Sequence, residues 1–204
     1  GVLAAGTWLG IRSYRVRWAR NVALPEIARL LENQNVDPAF RLARQAERYI
    51  PADPELLRLQ HHYQARLRVQ TDPPGADVYV KGYLHVNASW IFLGKSPIEN
   101  ARVPRGYNRW KVTKDGFEPL ERTSPPSGFK LHPLGAVPPG MIWVPGGTLQ
   151  VRGLPAVQAQ DYWLDKYEVS NKQFEEFVDQ GGYRKRDYWK HPFVKDGKVL
   201  SWEE

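Results

Sequence analysis

Apolar residues change their spacing several times along the chain, and each change marks a different kind of structure. From residue 22 to residue 67 the spacing is helical. Ile27, Leu30 and Leu31 fall at i, i+3 and i+4 behind Pro25, a residue suited to the first turn of a helix. Asp37-Pro38 and Asp53-Pro54 predict two further helix starts, each an acidic N-cap followed by proline at the first helical position. In the second helix Ala39, Ala43, Ala46 and Ile50 form a stripe of mostly small residues that lets a neighbouring helix approach closely. In the third, Leu56, Gln60, Tyr63 and Leu67 continue the pattern at steps of four, three and four.

From residue 68 to residue 122 the period falls to two. Leu67, Val69 and Thr71 alternate before the turn Asp72-Pro73-Pro74-Gly75, and Val78 and Val80 alternate after it. Trp110 and Val112 are expected on one face of a strand, with Arg109, Lys111 and Thr113 on the other. Short strands bounded by Pro/Gly turns at these intervals predict a small antiparallel β-module. Residues 123–140 (TSPPSGFKLHPLGAVPPG) are rich in Pro and Gly and read as a linker. Beyond it, Met141 to Val144 reads as a strand ending in a Gly-Gly turn. Ser170 and Gln173 form a capping box that opens a helix with Phe174, Phe177 and Val178 on one face.

The first eleven residues, GVLAAGTWLGI, are an apolar run about half as long as the ~20 residues that span a membrane. Arg12, Arg15, Arg17 and Arg20 follow at once, as at the interfacial end of a membrane helix. This predicts residues 1–12 as the end of a transmembrane helix and 13–67 as a helical stalk. The chain also stops at Glu203-Glu204 without a tail-like composition, so both ends are expected to lie inside a longer protein. A basic flank favours the cytoplasmic side. An extracytoplasmic chain would need a still stronger basic group before Gly1.

Composition narrows the chemistry. The net charge of +7, from 29 basic and 22 acidic residues, is concentrated in the Arg12–Arg20 group and at Arg184-Lys185-Arg186. The first cluster suits an anionic lipid surface, and no nucleic-acid partner is expected. The sequence contains no cysteine, which excludes disulfides, thiolate metal sites and cysteine nucleophiles within these residues. His61 and His62 are adjacent, not at the i, i+4 spacing of a ligand pair, while His85, His132 and His191 are isolated; no metal site is expected. Gly94-Lys95-Ser96 has the end of a phosphate-binding loop, but Ser89 stands where that loop needs its first glycine, and Pro97 blocks the helix that should follow. A structural β-turn is expected there. Trp143, Tyr162, Trp163, Tyr167, Phe174 and Phe177 are expected as the core of a loop-rich domain. Lys185, Arg186, Tyr188 and Trp189 are the candidates for surface recognition.

Three resemblances add to this reading. The short helices joined by Pro-Ala-Asp-Pro look like a single tetratricopeptide-type hairpin. The β-module resembles a PEGA domain through Pro73-Pro74-Gly75-Ala76, Val78-Tyr79-Val80, Gly94-Lys95-Ser96-Pro97, Pro104-Arg105-Gly106 and Lys114-Asp115-Gly116-Phe117. It departs from that pattern at Pro74, where the name has Glu, and in a longer connection from Tyr83 to Leu93. Residues 141–148 (MIWVPGGT) and 162–178 (YWLDKYEVSNKQFEEFV), followed by Gly181-Gly182-Tyr183, resemble the opening of the formylglycine-generating enzyme, or sulfatase-modifying factor, family. That resemblance implies a truncated C-type-lectin-like domain. In family members that oxidise cysteine it also implies a copper-binding cysteine pair late in the domain, which these residues do not contain.

The expected architecture is an α+β multidomain fragment. Its parts are the helical stalk, the PEGA-like β-module at 68–122, the linker at 123–140 and the formylglycine-generating-type domain at 141–204. No catalytic residue and no cofactor is assigned. This order resembles the outer half of bacterial transmembrane Ser/Thr protein kinases, which implies a non-catalytic, extracytoplasmic sensing region. It would be anchored through its N-terminal helix and would meet a cell-envelope polysaccharide or a protein ligand. The alternative is part of a membrane-tethered formylglycine-generating oxidase or sulfoxide synthase.

Overall fold

A computed structural model describes residues 11–123, 128–153 and 155–202. The chain mixes helices with small sheets, and it divides between Ala136 and Val137 into two units.

The first unit opens with a helix that runs from residue 11 through a π-helical turn, Ala19–Ala23, into α1 (Leu24–Glu32). Pro25 does not start this helix, as its position in the sequence suggests, but lies inside it. Its ring would crowd the carbonyl four residues back and it brings no N–H. The ladder widens just before it, with the Leu24 N–H donating to the Ala19 carbonyl five residues back. Next come α2 (Val36–Ala46) and α3 (Pro54–Tyr63). Asp53 caps α3 as expected, accepting the Glu55 N–H at 3.1 Å. Asp37 does not cap α2: Asn35 holds that position, and Asp37 sits in the first turn with its carboxylate directed inward. The expected stripe of Ala39, Ala43, Ala46 and Ile50 is buried, together with Ile27, Phe40, Leu56 and Tyr63.

The same unit contains β1 (Gln64–Val69), β2 (Thr71–Asp72), β3 (Asp77–Gly82), β4 (Ile91–Lys95), β5 (Ile98–Pro104), β6 (Asn108–Thr113), β7 (Leu120–Arg122) and β8 (Phe129–Lys130). Four of these strands form an antiparallel sheet in the order β4-β3-β6-β7, and β1 pairs with β5. Alternation reads directly into burial. Trp110 and Val112 enter the core beside Val78 and Val80, while Arg109, Lys111 and Thr113 face outward, half-buried. The Pro-Pro-Gly-Ala turn is locked to the Gly94-Lys95-Ser96 segment, where Gly75 donates to the Ser96 carbonyl at 2.8 Å and Ser96 to that of Ala76 at 2.9 Å. Within the stretch expected as linker, β8 pairs in parallel with β2, and Phe129 and Leu131 are buried against Trp110 and its neighbours. Pro and Gly set the composition of that stretch, but its two large apolar side chains join the nearest core.

Two polar joints tie helices to strands. Asp37 Oδ1 accepts the Gly82 N–H at 2.7 Å, and its Oδ2 accepts Arg41 Nε at 2.6 Å. Arg41 then donates to the Ser89 carbonyl at 2.8 Å. A Cβ on Gly82 would lie 2.6 Å from that of Asp37, so the strand comes this close only with glycine. In the second joint Glu47, on the turn after α2, accepts from Arg102 of β5 and from the Tyr63 hydroxyl at 3.4 Å. Burial, reinforced by the Glu47 charge, pushes the Tyr63 hydroxyl well above the usual tyrosine range.

The second unit is made of short pairs: β9 (Met141–Val144) with β12 (Tyr162–Asp165), β10 (Gly147–Leu149) with β11 (Val157–Ala159), and β13 (Val194–Lys195) with β14 (Lys198–Val199). Helix α4 (Asn171–Asp179) follows β12 and carries the expected capping box, with Ser170 Oγ accepting the Gln173 N–H. The aromatic core expected for this unit is not found. Trp143, Trp163 and Phe177 are half-buried, whereas Tyr162, Tyr167 and Phe174 are exposed; Gly182 is the one buried residue among those described here. Two-stranded pairs and one short helix present too few faces to enclose such large rings. Among the described residues, no helix is long and apolar enough to cross a membrane. Most of the run expected as a membrane helix end, residues 1–10, lies outside the described residues.

Asp37→Ala should destabilise the first unit by about 3 kcal/mol, because it strands a buried N–H and the Arg41 guanidinium together. Urea unfolding followed by circular dichroism measures this, and a loss below 1 kcal/mol would contradict the joint. Tyr63 contributes a pH dependence with a definite sign. Its folded-state value is raised, so the stability it adds is complete below about pH 10, the ordinary tyrosine value, and is lost as the pH climbs above it. Tyr63→Phe should therefore flatten the alkaline limb of the stability curve. An unchanged limb would show that other groups set it.

Candidate functional site

The four recognition candidates lie on and beside the 3-10 turn Arg186–Tyr188 in the second unit. Gly181, in the left-handed conformation, ends α4 and turns the chain into a preceding 3-10 turn, Gly182–Arg184. The two turns fold the chain back along α4, so that Tyr183 and Tyr188 reach Phe177. The Phe177 ring centroid lies 5.9 Å from that of Tyr183 and 6.1 Å from that of Tyr188. Trp189 stacks on Tyr183 at 5.4 Å with an interplanar angle of 16°, and Phe193 packs on Trp189 at 5.6 Å. Lys185 holds its ammonium 5.4 Å from the centre of the Tyr188 ring. Of the four candidates, Lys185, Tyr188 and Trp189 thus belong to one aromatic–cation cluster. Arg186 is exposed at the turn and meets the cluster through its backbone, its carbonyl accepting the Trp189 N–H at 3.0 Å.

Beside the cluster runs an open cleft of about 540 Å³, lined by Tyr183, Trp189, Phe193, Leu200 and Trp202, with Arg184 at its edge. The Trp189 indole N–H is buried and has no hydrogen-bond partner among the described residues. The rings around the cleft suit a planar, largely apolar group. No group of three His, Asp or Glu side chains converges to hold a metal ion among the described residues. His61 and His62 pack on each other with centroids 3.9 Å apart, although they are adjacent on α3.

The resemblance blocks occupy matching places in this geometry. The MIWV segment is β9 and the YWLD segment is β12, and Trp143 and Trp163 face each other across the pair. In the first unit, the Pro-Pro-Gly-Ala turn and the Gly-Lys-Ser-Pro turn meet through backbone bonds, and Ser96 is buried as a structural residue. The PEGA family model matches residues 64–127. These residues form a PEGA domain. The model described as sulfatase-modifying factor enzyme 1-like domain matches residues 130–203, so that domain follows the PEGA domain in the expected order. No curated protein and no solved structure matches the chain.

Two features of the PEGA domain were not expected from sequence. Ser96, Thr71 and the Ala76 N–H form a buried hydrogen-bonded group behind the turns. Tyr83 and Leu84, in the long connection after β3, stand exposed next to Tyr107. The signal for the second was present, as apolar residues inside a segment otherwise read as connection.

Gly182 tests the aromatic cluster. A Cβ there would run into the Phe177 ring. Gly182→Ala should displace that ring, weakening the near-ultraviolet dichroism and speeding amide exchange along α4. Unchanged signals on both would show that the rings do not order this segment.

Proposed function

We propose that the chain is a non-catalytic binding region of a membrane-anchored signalling protein, displayed outside the cytoplasm, with a Ser/Thr protein kinase elsewhere in the same protein. The observation that carries this reading is the order of a PEGA domain and a sulfatase-modifying factor enzyme 1-like domain in residues without any cysteine. Oxidation of a cysteine by the copper chemistry of that family requires thiolates, and these 204 residues supply none. In this reading the second domain takes the C-type-lectin-like fold and offers a recognition surface. Lys185, Arg186, Tyr188 and Trp189 contact a cell-envelope polysaccharide or protein ligand, with the rings for stacking and the cations for acidic groups. The anchoring helix ends in the apolar run Gly1–Ile11, and the arginines after it lie at the lipid headgroups.

Two measurements test the proposal. The purified chain, given copper and a sulfatase-type cysteine peptide, or ATP and a protein substrate, should show no turnover above a boiled control. The protein in its natural host should partition with membranes through a salt wash, and protease added outside intact cells should cut within 123–140. Turnover of either substrate would refute the non-catalytic reading. A soluble protein, or one shielded from external protease, would refute the anchored, extracytoplasmic one.

A further inference from the structure

The connection from Tyr83 to Trp90 is long, yet polar contacts hold it at both ends and in the middle. The Tyr83 N–H donates to the Tyr107 carbonyl at 3.0 Å, and Arg109 Nε donates to the Tyr83 carbonyl at 3.2 Å. Lys81 is buried, and its ammonium donates to the Val86 carbonyl at 2.6 Å. That ammonium also lies 4.6 Å from the centre of the Trp90 ring. Arg41, already bound to Asp37, donates to the Ser89 carbonyl. Three cations therefore spend their hydrogen bonds on the backbone of one loop. This fixes a segment whose side chains point the other way: Leu84 is 83% exposed and Val86 50%. Tyr107, on the neighbouring turn, is 84% exposed.

A folded loop normally turns such side chains inward, so a braced loop that presents them outward is a built surface. It borders a groove of about 740 Å³ between the helices and the strands, walled by Leu31, Val36 and Pro104. The groove's one guanidinium is open to a partner, whereas its one carboxylate is already engaged. Arg105 has no ion-pair partner among the described residues; one of its terminal nitrogens donates to the His61 carbonyl, and His62 and His85 lie along the same wall. The single carboxylate lining the groove among the described residues is Asp37, and Gly82 and Arg41 engage its two oxygens.

We infer that this groove and its loop are a docking site for a peptide segment of a partner protein, one that carries an acidic residue beside bulky apolar side chains. Charge complementarity selects the acid, which pairs with Arg105. The concave shape selects a chain over a flat bilayer. The rim of Leu84, Val86 and Tyr107 extends the apolar surface beyond what a small metabolite covers, and aliphatic walls suit side chains better than sugars. Bracing by Lys81, Arg109 and Arg41 means the loop is ordered before the partner arrives, which lowers the entropy lost on binding. The inference depends neither on membrane anchoring nor on a kinase.

A random twelve-residue phage-displayed library panned against the intact chain tests it. Enriched sequences should combine Asp or Glu with two or more bulky apolar residues. A synthetic copy of an enriched peptide should bind the chain about tenfold more weakly after Leu84→Asp or Arg105→Glu. Replacing the peptide's acid by lysine should restore binding to the Arg105→Glu chain. Leu84 is exposed, so Leu84→Asp should leave thermal unfolding unchanged and report on binding alone. Failure to enrich, enrichment of basic or uncharged sequences, or indifference to both substitutions would overturn the proposal. Self-association seen by sedimentation, or adhesion to anionic phospholipid vesicles, that Leu84→Asp abolishes would also overturn it, by assigning the surface to a second copy or to a membrane.

Discussion

The first unit depends on one carboxylate. Asp37 is placed in the first turn of α2, where its side chain leaves the helix and meets the end of β3. A buried carboxylate needs charge-assisted partners, and two are supplied from different levels of structure. The Gly82 N–H comes from a strand end that would otherwise leave a donor unpaired, and Arg41 comes from the next turn of the same helix. Because Arg41 passes on to the Ser89 carbonyl, the same carboxylate also determines where the loop after β3 returns to the sheet. Helix, strand and loop are held through three residues, Gly82, Asp37 and Arg41, with the Ser89 carbonyl as the last acceptor. Removing any member leaves another charge or N–H buried without compensation, so the three must be kept together.

That joint explains which parts of the fold were legible from the residues. Period-two alternation was enough for β3 and β6, because each packs one face on the core and turns the other outward. The alanine stripe was legible for the same reason in period 3.6. Asp37-Pro38 and Asp53-Pro54, however, are the same dipeptide at the start of a helix, and they do different work. Asp53 caps α3 locally, whereas Asp37 sits two positions further in and serves a strand 45 residues away. Nothing in the local sequence separates the two. Pro25 was misplaced for a related reason: a widened turn lets a helix pass through a proline that, read alone, looks like a beginning. Phe129 and Leu131 were hidden by the prolines and glycines around them, which fixed the composition of the stretch without fixing where its two large side chains would go.

The recognition candidates were partly legible. A run of Lys, Arg, Tyr and Trp after a Gly-Gly pair does gather into a cluster at Lys185, Tyr188 and Trp189. What holds the cluster could not be read from those four residues. Phe177 contributes from the preceding helix and Tyr183 from the turn between, and the close passage needs Gly182 to lack a side chain. The expectation that the larger set of aromatics would form a closed core failed on geometry. Rings stack in pairs along a short helix and its following turns, but paired strands of two to four residues do not wrap around them.

The two units use their aromatic and basic residues in opposite ways. In the second, rings meet rings, and cations lie at the margin, as Lys185 does over Tyr188. In the PEGA domain the outward rings are interleaved with cations: Lys111 lies between Tyr79 and Trp90, and Lys81 lies against Trp90 from within. The Lys81 ammonium is satisfied by carbonyls and a ring, with no ion-pair carboxylate among the described residues. Lys81 and Arg109 hold the segment through carbonyls and rings, and only the third brace, Arg41, is also tied to a carboxylate, that of Asp37.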